Sequence, residues 1–307
     1  MKKIFLHGSS GTTGLRLRER LSHRDDLELV ILPDALRRDA SAVRDALNGS
    51  DAAFLCLPDD AARQAAALLE NPDTVLLDAS TAHRTAPGWV YGFPELGEEQ
   101  AEAIRGAKRI AVPGCHASGF IALIAPLRKA GLLDADAALT AFSLTGYTGG
   151  GKKMIAQYEE EPGPLLSAPR QYGLGQRHKH LPEMAKVCAL TAPPLFCPIV
   201  ANYPRGMEVT VPLFASLLHG TAEDVKDVYR RAYSGPVVRY AEADDGDGFL
   251  SACALEGRDS MEIGVQGNAA RILLTARFDN LGKGASGAAV QCMNLALGFE
   301  STKGLVL

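Results

Sequence analysis

A cysteine that sits where a strand ends and an apolar helix begins can do covalent chemistry. Cys115, in Val112-Pro113-Gly114-Cys115-His116-Ala117-Ser118-Gly119, has that setting, with a helix expected over Ser118 to Ala130. Unpaired backbone N–H groups and the positive end of the helix dipole stabilise a thiolate there, which lowers the thiol pKa and makes it a nucleophile near neutral pH. The same N–H groups can hold an oxyanion. The competing reading is a buried structural cysteine, the commoner role of a cysteine taken blindly; the Pro-Gly-Cys context favours the catalytic one. Cys56, Cys188, Cys197, Cys253 and Cys292 have no such context. No two cysteines form a C-x-x-C pair, so neither a metal site nor a dithiol redox pair is expected.

A nucleophilic thiol needs a proton partner, and Gln176-Arg177-His178-Lys179-His180-Leu181-Pro182-Glu183 offers two histidines and a carboxylate on a polar stretch just before a helix that Pro182 helps to start. A lone histidine is more often structural. In this setting His180 is the expected general acid/base, Glu183 either orients it or caps the helix, and His178 is a substrate or structural ligand.

A third constellation is Gly8-Ser9-Ser10-Gly11-Thr12-Thr13-Gly14, which follows the first apolar strand directly and opens the first helix. Early glycines allow a tight turn and close approach of phosphate, and the helix N-terminus supplies N–H donors and a favourable dipole, which is how a dinucleotide is held. A plain strand-to-helix turn is the alternative. Asp34 lies twenty residues past Gly14, where an acidic partner for the ribose 2′-hydroxyl of NAD would sit, whereas Arg37 and Arg38 suit the 2′-phosphate of NADP. Residue chemistry leaves that choice open.

These residues need a scaffold, and 307 residues with 47% hydrophobic and 22% charged content can bury a sizeable core in two domains. A net charge of −4 without long like-charge runs gives no footprint for nucleic acid or an anionic membrane, so small-molecule chemistry is the expectation. Without a signal-peptide core or an apolar stretch long enough to span a bilayer, the chain reads as cytoplasmic. Ile4 to Leu6, Leu27 to Leu32, Ala52 to Leu57, Val75 to Asp78 and Ile110 to Val112 alternate with helical patterns, the rhythm of a parallel sheet wrapped by helices. Beyond Gly114 the strands lengthen (Leu139 to Thr145, Phe196 to Asn202, Met207 to Leu217, Met261 to Gln266, Arg271 to Phe278), which suits a mixed sheet with helices near Gly151 to Tyr158, Leu181 to Leu190 and Ala222 to Ala232. Gly287 to Leu297 reads as a buried helix.

Taken in order with Asp279-Asn280-Leu281-Gly282-Lys283-Gly284-Ala285-Ser286-Gly287-Ala288-Ala289, these motifs resemble the shorter form of the N-acetyl-γ-glutamyl-phosphate reductases over nearly the whole chain; the histidine motif and this last one are the specific parts. The resemblance implies an α/β chain with a Rossmann-type dinucleotide-binding domain (1–114 plus 285–307) and an α+β catalytic and dimerisation domain with a mixed sheet (115–284), as in the glyceraldehyde-3-phosphate dehydrogenase-like fold. It implies NADP as cofactor, Cys115 as nucleophile, His180 as acid/base, Ser80 and Asn280 as cofactor contacts, and Arg84, His178 and Glu183 as substrate contacts. The partners it implies are an acyl phosphate or aldehyde, phosphate, and a second copy or more of the chain in a homodimer or homotetramer. Longer members usually carry an aromatic residue after the cysteine and an acidic-aromatic pair before the arginine; here stand His116, Ala82 and His83. The alternatives are the same chemistry on aspartyl or aminoadipyl phosphate, or a non-catalytic dinucleotide sensor.

Overall fold

Ala52-Ala53-Phe54-Leu55 is apolar at every position, and in the computed structural model all four residues are fully buried. A strand covered on both faces needs that continuous pattern, because neither side of the pleat meets water. The structure describes residues 1–160, 162–242 and 244–307, which fall into two compact units.

The first unit comprises Met1–Pro113 and Ala285–Leu305. Its elements are β1 (Lys2–His7), α1 (Thr12–Ser22), β2 (Leu27–Val30), α2 (Ala40–Asn48), β3 (Ala52–Leu55), α3 (Asp59–Ala67), β4 (Val75–Asp78), β5 (Val90–Tyr91), α4 (Glu98–Gly106) and β6 (Arg109–Ala111). The strands form a parallel sheet in the order β2-β1-β3-β4-β6-β5. One face packs Phe5, Leu55 and Leu76 against Val43, Leu47, Ala62 and Ala65 of α2 and α3. The other packs Ile4, Leu6, Phe54, Leu77 and Ile110 against α1 and against Ala289, Cys292 and Met293, from a helix near the end of the chain. The strand order reverses at β1, so the carboxyl ends of β1 and β3 diverge into a crevice, the usual ligand position of an open α/β sheet.

The second unit comprises Gly114–Gly284 with Val306–Leu307. It contains α5 (Cys115–Lys129), β7 (Thr140–Gly146), α6 (Gly151–Glu159), β8 (Arg170–Gln171), α7 (Leu181–Val187), β9 (Leu195–Ala201), β10 (Met207–Phe214), α8 (Ala222–Ala232), β11 (Val238–Tyr240), β12 (Met261–Gly267) and β13 (Arg271–Phe278). A five-residue π-helical turn, Gly282–Ser286, leads into α9 (Gly287–Ala296), which belongs to the first unit. The mixed sheet runs β11-β12-β13-β10-β7-β9-β8. Pairing is antiparallel from β12 through β13 and β10 to β7 and between β8 and β9, and parallel at β7–β9 and β11–β12. Ser143, Val209 and Phe278 face α5, while the alternate residues Phe142, Leu195, Phe214 and Leu273 lie on the opposite face and are exposed.

Two expected helix bounds shift for physical reasons, and three short strands carry no expectation at all. The helix expected from Ser118 begins at Cys115, with Gly114 extended (φ −78°, ψ 145°) as its N-cap. The helix expected to reach Leu190 stops at Val187, because Ala189 adopts a left-handed conformation (φ 50°) that ends the turn. β5, β8 and β11 are two or three residues long, too short to leave a periodic signal.

Candidate active site

Cys115 is the first residue of α5, a helix whose residues 116–124 are all buried. That surround fixes the thiol in place. The Glu183 carboxylate, 1% exposed, accepts a hydrogen bond from the Gly114 N–H (3.1 Å), so the acidic residue of the histidine motif holds the turn that leads into Cys115. Above it passes the π-helical turn. A Cβ on Gly284 would stand 3.0 Å from the Cβ of Cys115, so Gly284 lets the chain cross the cysteine closely, and one on Gly282 would stand 2.1 Å from the Arg258 carbonyl oxygen. π-Helical turns recur at functional sites.

The other thiols have no such setting. Burial, helped by the charge of Asp78, pushes Cys56 up to about 12; burial also raises Cys188 and Cys253. Cys292 donates to the Gly92 carbonyl (3.2 Å), and no disulfide forms among the described residues.

The structure brings both histidines of the motif together with His116. Ring centroids lie 4.7 Å apart for His178–His180, 5.5 Å for His116–His178 and 5.6 Å for His116–His180, with Phe196 wedged against His116 and His178. His180 is the residue before α7 and is buried (5% exposed); His178 is half-buried and its Nδ1 accepts from the His180 N–H (3.2 Å). The loop carrying them is stitched to β9 by Gln176, whose side chain donates to the Phe196 carbonyl (2.8 Å) and accepts from the Phe196 N–H (2.9 Å). Tyr172 on that loop hydrogen-bonds Nε2 of His116 at 2.6 Å, and Nδ1 of His116 meets Ser143 Oγ at 2.6 Å. Sequence reasoning missed Tyr172 and Ser143, since nothing local in either segment marks them.

In the first unit, Gly8, Ser9, Ser10 and Gly11 line a cavity of about 740 Å³ together with Leu32, Cys56, Pro58, Asp34, Arg37 and Arg38. Gly8 has φ 89°, and a Cβ there would stand 2.3 Å from the Cys56 carbonyl oxygen; one on Gly14 would stand 2.2 Å from the carbonyl oxygen of Gly8. Thr12, Thr13 and Gly14 form the first turn of α1. This is a cradle that any side chain would fill, at the N-terminus of a helix, and it fits a dinucleotide diphosphate. At the far lip Arg37 pairs with Asp34 (3.5 Å), which offsets the acidic charge, and Arg38 adds a cation.

Ser80 and Arg84 lie on the segment after β4. Asp78, fully buried, accepts from the Ser80 N–H (2.9 Å), the Ser80 hydroxyl (2.7 Å) and His83 Nδ1 (2.6 Å), and His83 stacks on Trp89. The Arg84 guanidinium donates to the carbonyls of Val112 (2.9 Å) and Ala79 (3.1 Å). Asn280, in the second unit, is 1% exposed; its amide donates to Thr148 Oγ1 (3.1 Å) and its oxygen accepts from the Gly206 N–H (3.0 Å), so the side chain clips two loops together.

Two family models match the chain: the semialdehyde dehydrogenase NAD-binding domain over residues 3–104 and the semialdehyde dehydrogenase dimerisation domain over residues 115–280. The chain belongs to the semialdehyde dehydrogenase family. The fold agrees: aspartate semialdehyde dehydrogenase II of Vibrio cholerae superposes with a TM-score of 0.73 at 16% identity, covering 97% of this chain and 98% of that one. The aspartate semialdehyde dehydrogenase of Candida albicans, solved with NADP, gives 0.67 at 16%, covering 96% and 98%. Sequence similarity is far higher to N-acetyl-gamma-glutamyl-phosphate reductases, at 46% identity to that of Brucella anthropi (96% of this chain, 98% of that protein) and 44% to N-acetyl-gamma-glutamyl-phosphate reductase 2 of Pseudomonas putida (98% of each). Within the family, the chain is one of these reductases.

The buried imidazole of His116 yields a pH prediction. Burial first, then the charges of His178 and Lys179, pull its pKa down to about 3, so the folded protein refuses a proton that the unfolded chain takes up below about pH 6.5. Stability that is fully present above about pH 6.5 is therefore lost as the pH falls toward 3, with a slope of about 1.4 kcal/mol per pH unit from this one proton. His116→Gln should flatten the decline by about that slope in denaturant titrations between pH 7 and 4.5. Parallel curves for the two proteins would show that His116 does not carry it.

Proposed function

We propose that the chain reduces N-acetyl-γ-glutamyl phosphate to N-acetyl-glutamate 5-semialdehyde and phosphate with NADPH, through a thioester on Cys115, as a step of arginine biosynthesis. The observation that carries this reading is a cysteine at the first position of a buried helix, with Glu183 on the turn before it, the histidine motif against the next residue and Gly284 crossing it. The Cys115 thiolate attacks the acyl carbon, a C–S bond forms and the C–O bond to phosphate breaks, while N–H groups at the start of α5 stabilise the oxyanion. The chemistry that bound NADPH supplies is hydride transfer to the thioester carbon. A histidine of the motif gives a proton to the oxygen of the resulting thiohemiacetal and takes it back as collapse expels the Cys115 sulfur. His180 is the expected acid/base and His178 a substrate ligand. One observation favours the reverse: the bond from the His180 N–H to Nδ1 of His178 places the proton of a neutral imidazole on Nε2, on the more exposed of the two rings.

The glycine cradle would hold the dinucleotide diphosphate, Arg37 and Arg38 the 2′-phosphate, and Ser80 and Asn280 further parts of the cofactor. Arg84, braced by two backbone carbonyls, would read a substrate anion, and Glu183 both holds the Cys115 turn and lies within the substrate-binding motif. In this reading residues 1–114 with 285–307 form the NADP-binding domain and residues 115–284 the catalytic and oligomerisation domain. The open apolar sheet face bearing Phe142, Leu195 and Leu273 would join copies of the chain into a homodimer or homotetramer. No helix among the described residues is long and apolar enough to cross a membrane; we place the enzyme in the cytoplasm.

The central test is phosphate-dependent reduction of NADP with N-acetyl-glutamate semialdehyde, beside aspartate semialdehyde, in the purified protein. Cys115→Ser should abolish turnover and keep NADP affinity, and the acid/base variant, His180→Asn or His178→Asn, should lose roughly 10²- to 10⁴-fold in kcat and the neutral-pH step of its rate profile. The other histidine variant should instead raise KM. Turnover surviving in Cys115→Ser would sink the thioester route.

Replacing Arg37 and Arg38 together with Ala should weaken NADP far more than NAD, read by titration of each cofactor. Equal weakening would remove the 2′-phosphate role.

Phe142→Asp should shift the sedimentation velocity profile toward a monomer while leaving the thermal unfolding of each unit intact; an unchanged profile would move the interface elsewhere.

A further inference from the structure

Two hydrogen bonds tie the histidine segment to the turn that carries Cys115, and they lie on either side of both. At one end the Tyr172 hydroxyl meets Nε2 of His116 at 2.6 Å, so the tyrosine is fastened to the residue after Cys115. At the other end the Glu183 carboxylate accepts from the Gly114 N–H at 3.1 Å, so the glutamate is fastened to the residue before Cys115. His178 and His180 fall between the two bonds in one segment, and Cys115 falls between them in the other. All of these residues belong to the second unit.

The tyrosine end is braced beyond that one contact. Nδ1 of His116 meets Ser143 Oγ on β7 at 2.6 Å, so both ring nitrogens are engaged and the imidazole cannot turn without breaking a bond. Burial first, then the charges of His178 and Lys179, keep that ring neutral, and burial keeps the Tyr172 hydroxyl protonated. A neutral imidazole donates at one nitrogen and accepts at the other, and a hydroxyl can do either, so the string Ser143–His116–Tyr172 is satisfied in both tautomers. The same ring stands 5.5 Å from that of His178 and 5.6 Å from that of His180. Elsewhere the loop is fastened to β9, by the Tyr172 N–H to the Pro198 carbonyl (3.0 Å) and by Gln176 to the N–H and carbonyl of Phe196. Those bonds hold the loop along the sheet; the tyrosine hydroxyl holds it to α5.

We propose that Ser143, His116 and Tyr172 are positioning residues, which set through the Tyr172 hydroxyl where the rings of His178 and His180 stand relative to Cys115. This rests on Cys115 being the nucleophile and on its proton partner being one of those two histidines. A general acid/base must come within hydrogen-bond reach of the oxygen it serves, and a displacement of about 1 Å can cost on the order of 100-fold in rate. A segment bonded at the Glu183 end alone could swing about that end. The second bond removes the freedom, as the supporting groups around a reacting constellation must.

The test is a double-mutant cycle in the full-length protein, with kcat, the KM for each substrate and thermal unfolding measured for every variant. Tyr172→Phe removes one hydroxyl, and His116→Phe keeps a ring while removing both of its bonds. Each should lose about tenfold in kcat with the KM for NADPH unchanged. The two together should also lose about tenfold, because the second change removes nothing that the first has left. Losses that add, to about a hundredfold in the double variant, overturn the proposal, as does a single variant that unfolds at a lower temperature yet keeps its kcat. Should either variant fail to fold, the cycle of the other with Ser143→Ala decides: Ser143→Ala losing kcat alone but nothing further beside its partner supports the string, and any other pattern overturns it. Turnover retained in Cys115→Ser, or kcat retained in both His178→Asn and His180→Asn, would overturn the reading beneath the proposal. A cycle that fails while those variants lose turnover removes the string alone.

Discussion

The site depends on the burial of α5 on every side. A helix that is apolar all round has no solvent face along which to slide or roll, so its first residue is fixed by the packing of the rest. Phe120, Ile121, Leu123, Ile124 and Leu127 are all fully buried, and Gly119 lets the helix press against Val209 and Phe278, where a Cβ would meet the valine at 2.5 Å. Cys115 therefore sits at the start of a helix buried along most of its length, while His178 and His180 come from the loop before α7. Rigid elements hold a reacting atom better than loops do.

A second constraint is that so much polarity is buried near that helix. Glu183, Ser143, Asn280, Asp279 and Lys283 are all at most 1% exposed, and a buried polar group without a partner costs about 1–3 kcal/mol. The pairings observed turn this cost into geometry. Glu183 is tied to the Gly114 N–H, Asn280 to Thr148 and Gly206, and Asp279 to the N–H groups of Gly257, Leu281 and Gly282. The bonds of Glu183 and Asn280, and that of Asp279 to Gly257, join segments far apart in sequence, while Asp279 also closes its own turn onto Leu281 and Gly282. Asn280 illustrates the double use: an amide expected to meet the cofactor also closes the loops around it.

Much of this was legible in the residues. The glycine turn announced itself because Gly8 and Gly14 are needed for contacts with backbone a few residues or one strand away, and Pro113-Gly114-Cys115 because a strand ends and a helix begins within three residues. The continuous apolar runs of β3 and β4 gave the parallel sheet for the same reason that they are buried. What stayed hidden is non-local. Tyr172 and Ser143 meet His116 from segments 56 and 27 residues away, with no spacing to read. Gln176 takes a left-handed conformation (φ 52°) that favours glycine or asparagine, so the clamp that orients the histidine loop carries no turn signature. The glycines on either side of Lys283 are a usable signal of close approach, but only the fold shows that Gly284 meets Cys115 and Gly282 the Arg258 carbonyl.

His116 also explains why three histidines in contact do not compete for one proton. Burial first, then the charges of His178 and Lys179, hold the His116 imidazole neutral well below the ordinary histidine range. An acid/base catalyst works best with a pKa near the ambient pH, so a group held near 3 is removed from proton transfer and left as a neutral donor and acceptor. That leaves His178 and His180, on the loop side of the cluster, as the candidates for proton exchange. Ser143 and Tyr172 engage both ring nitrogens of His116 and fix the orientation of its ring.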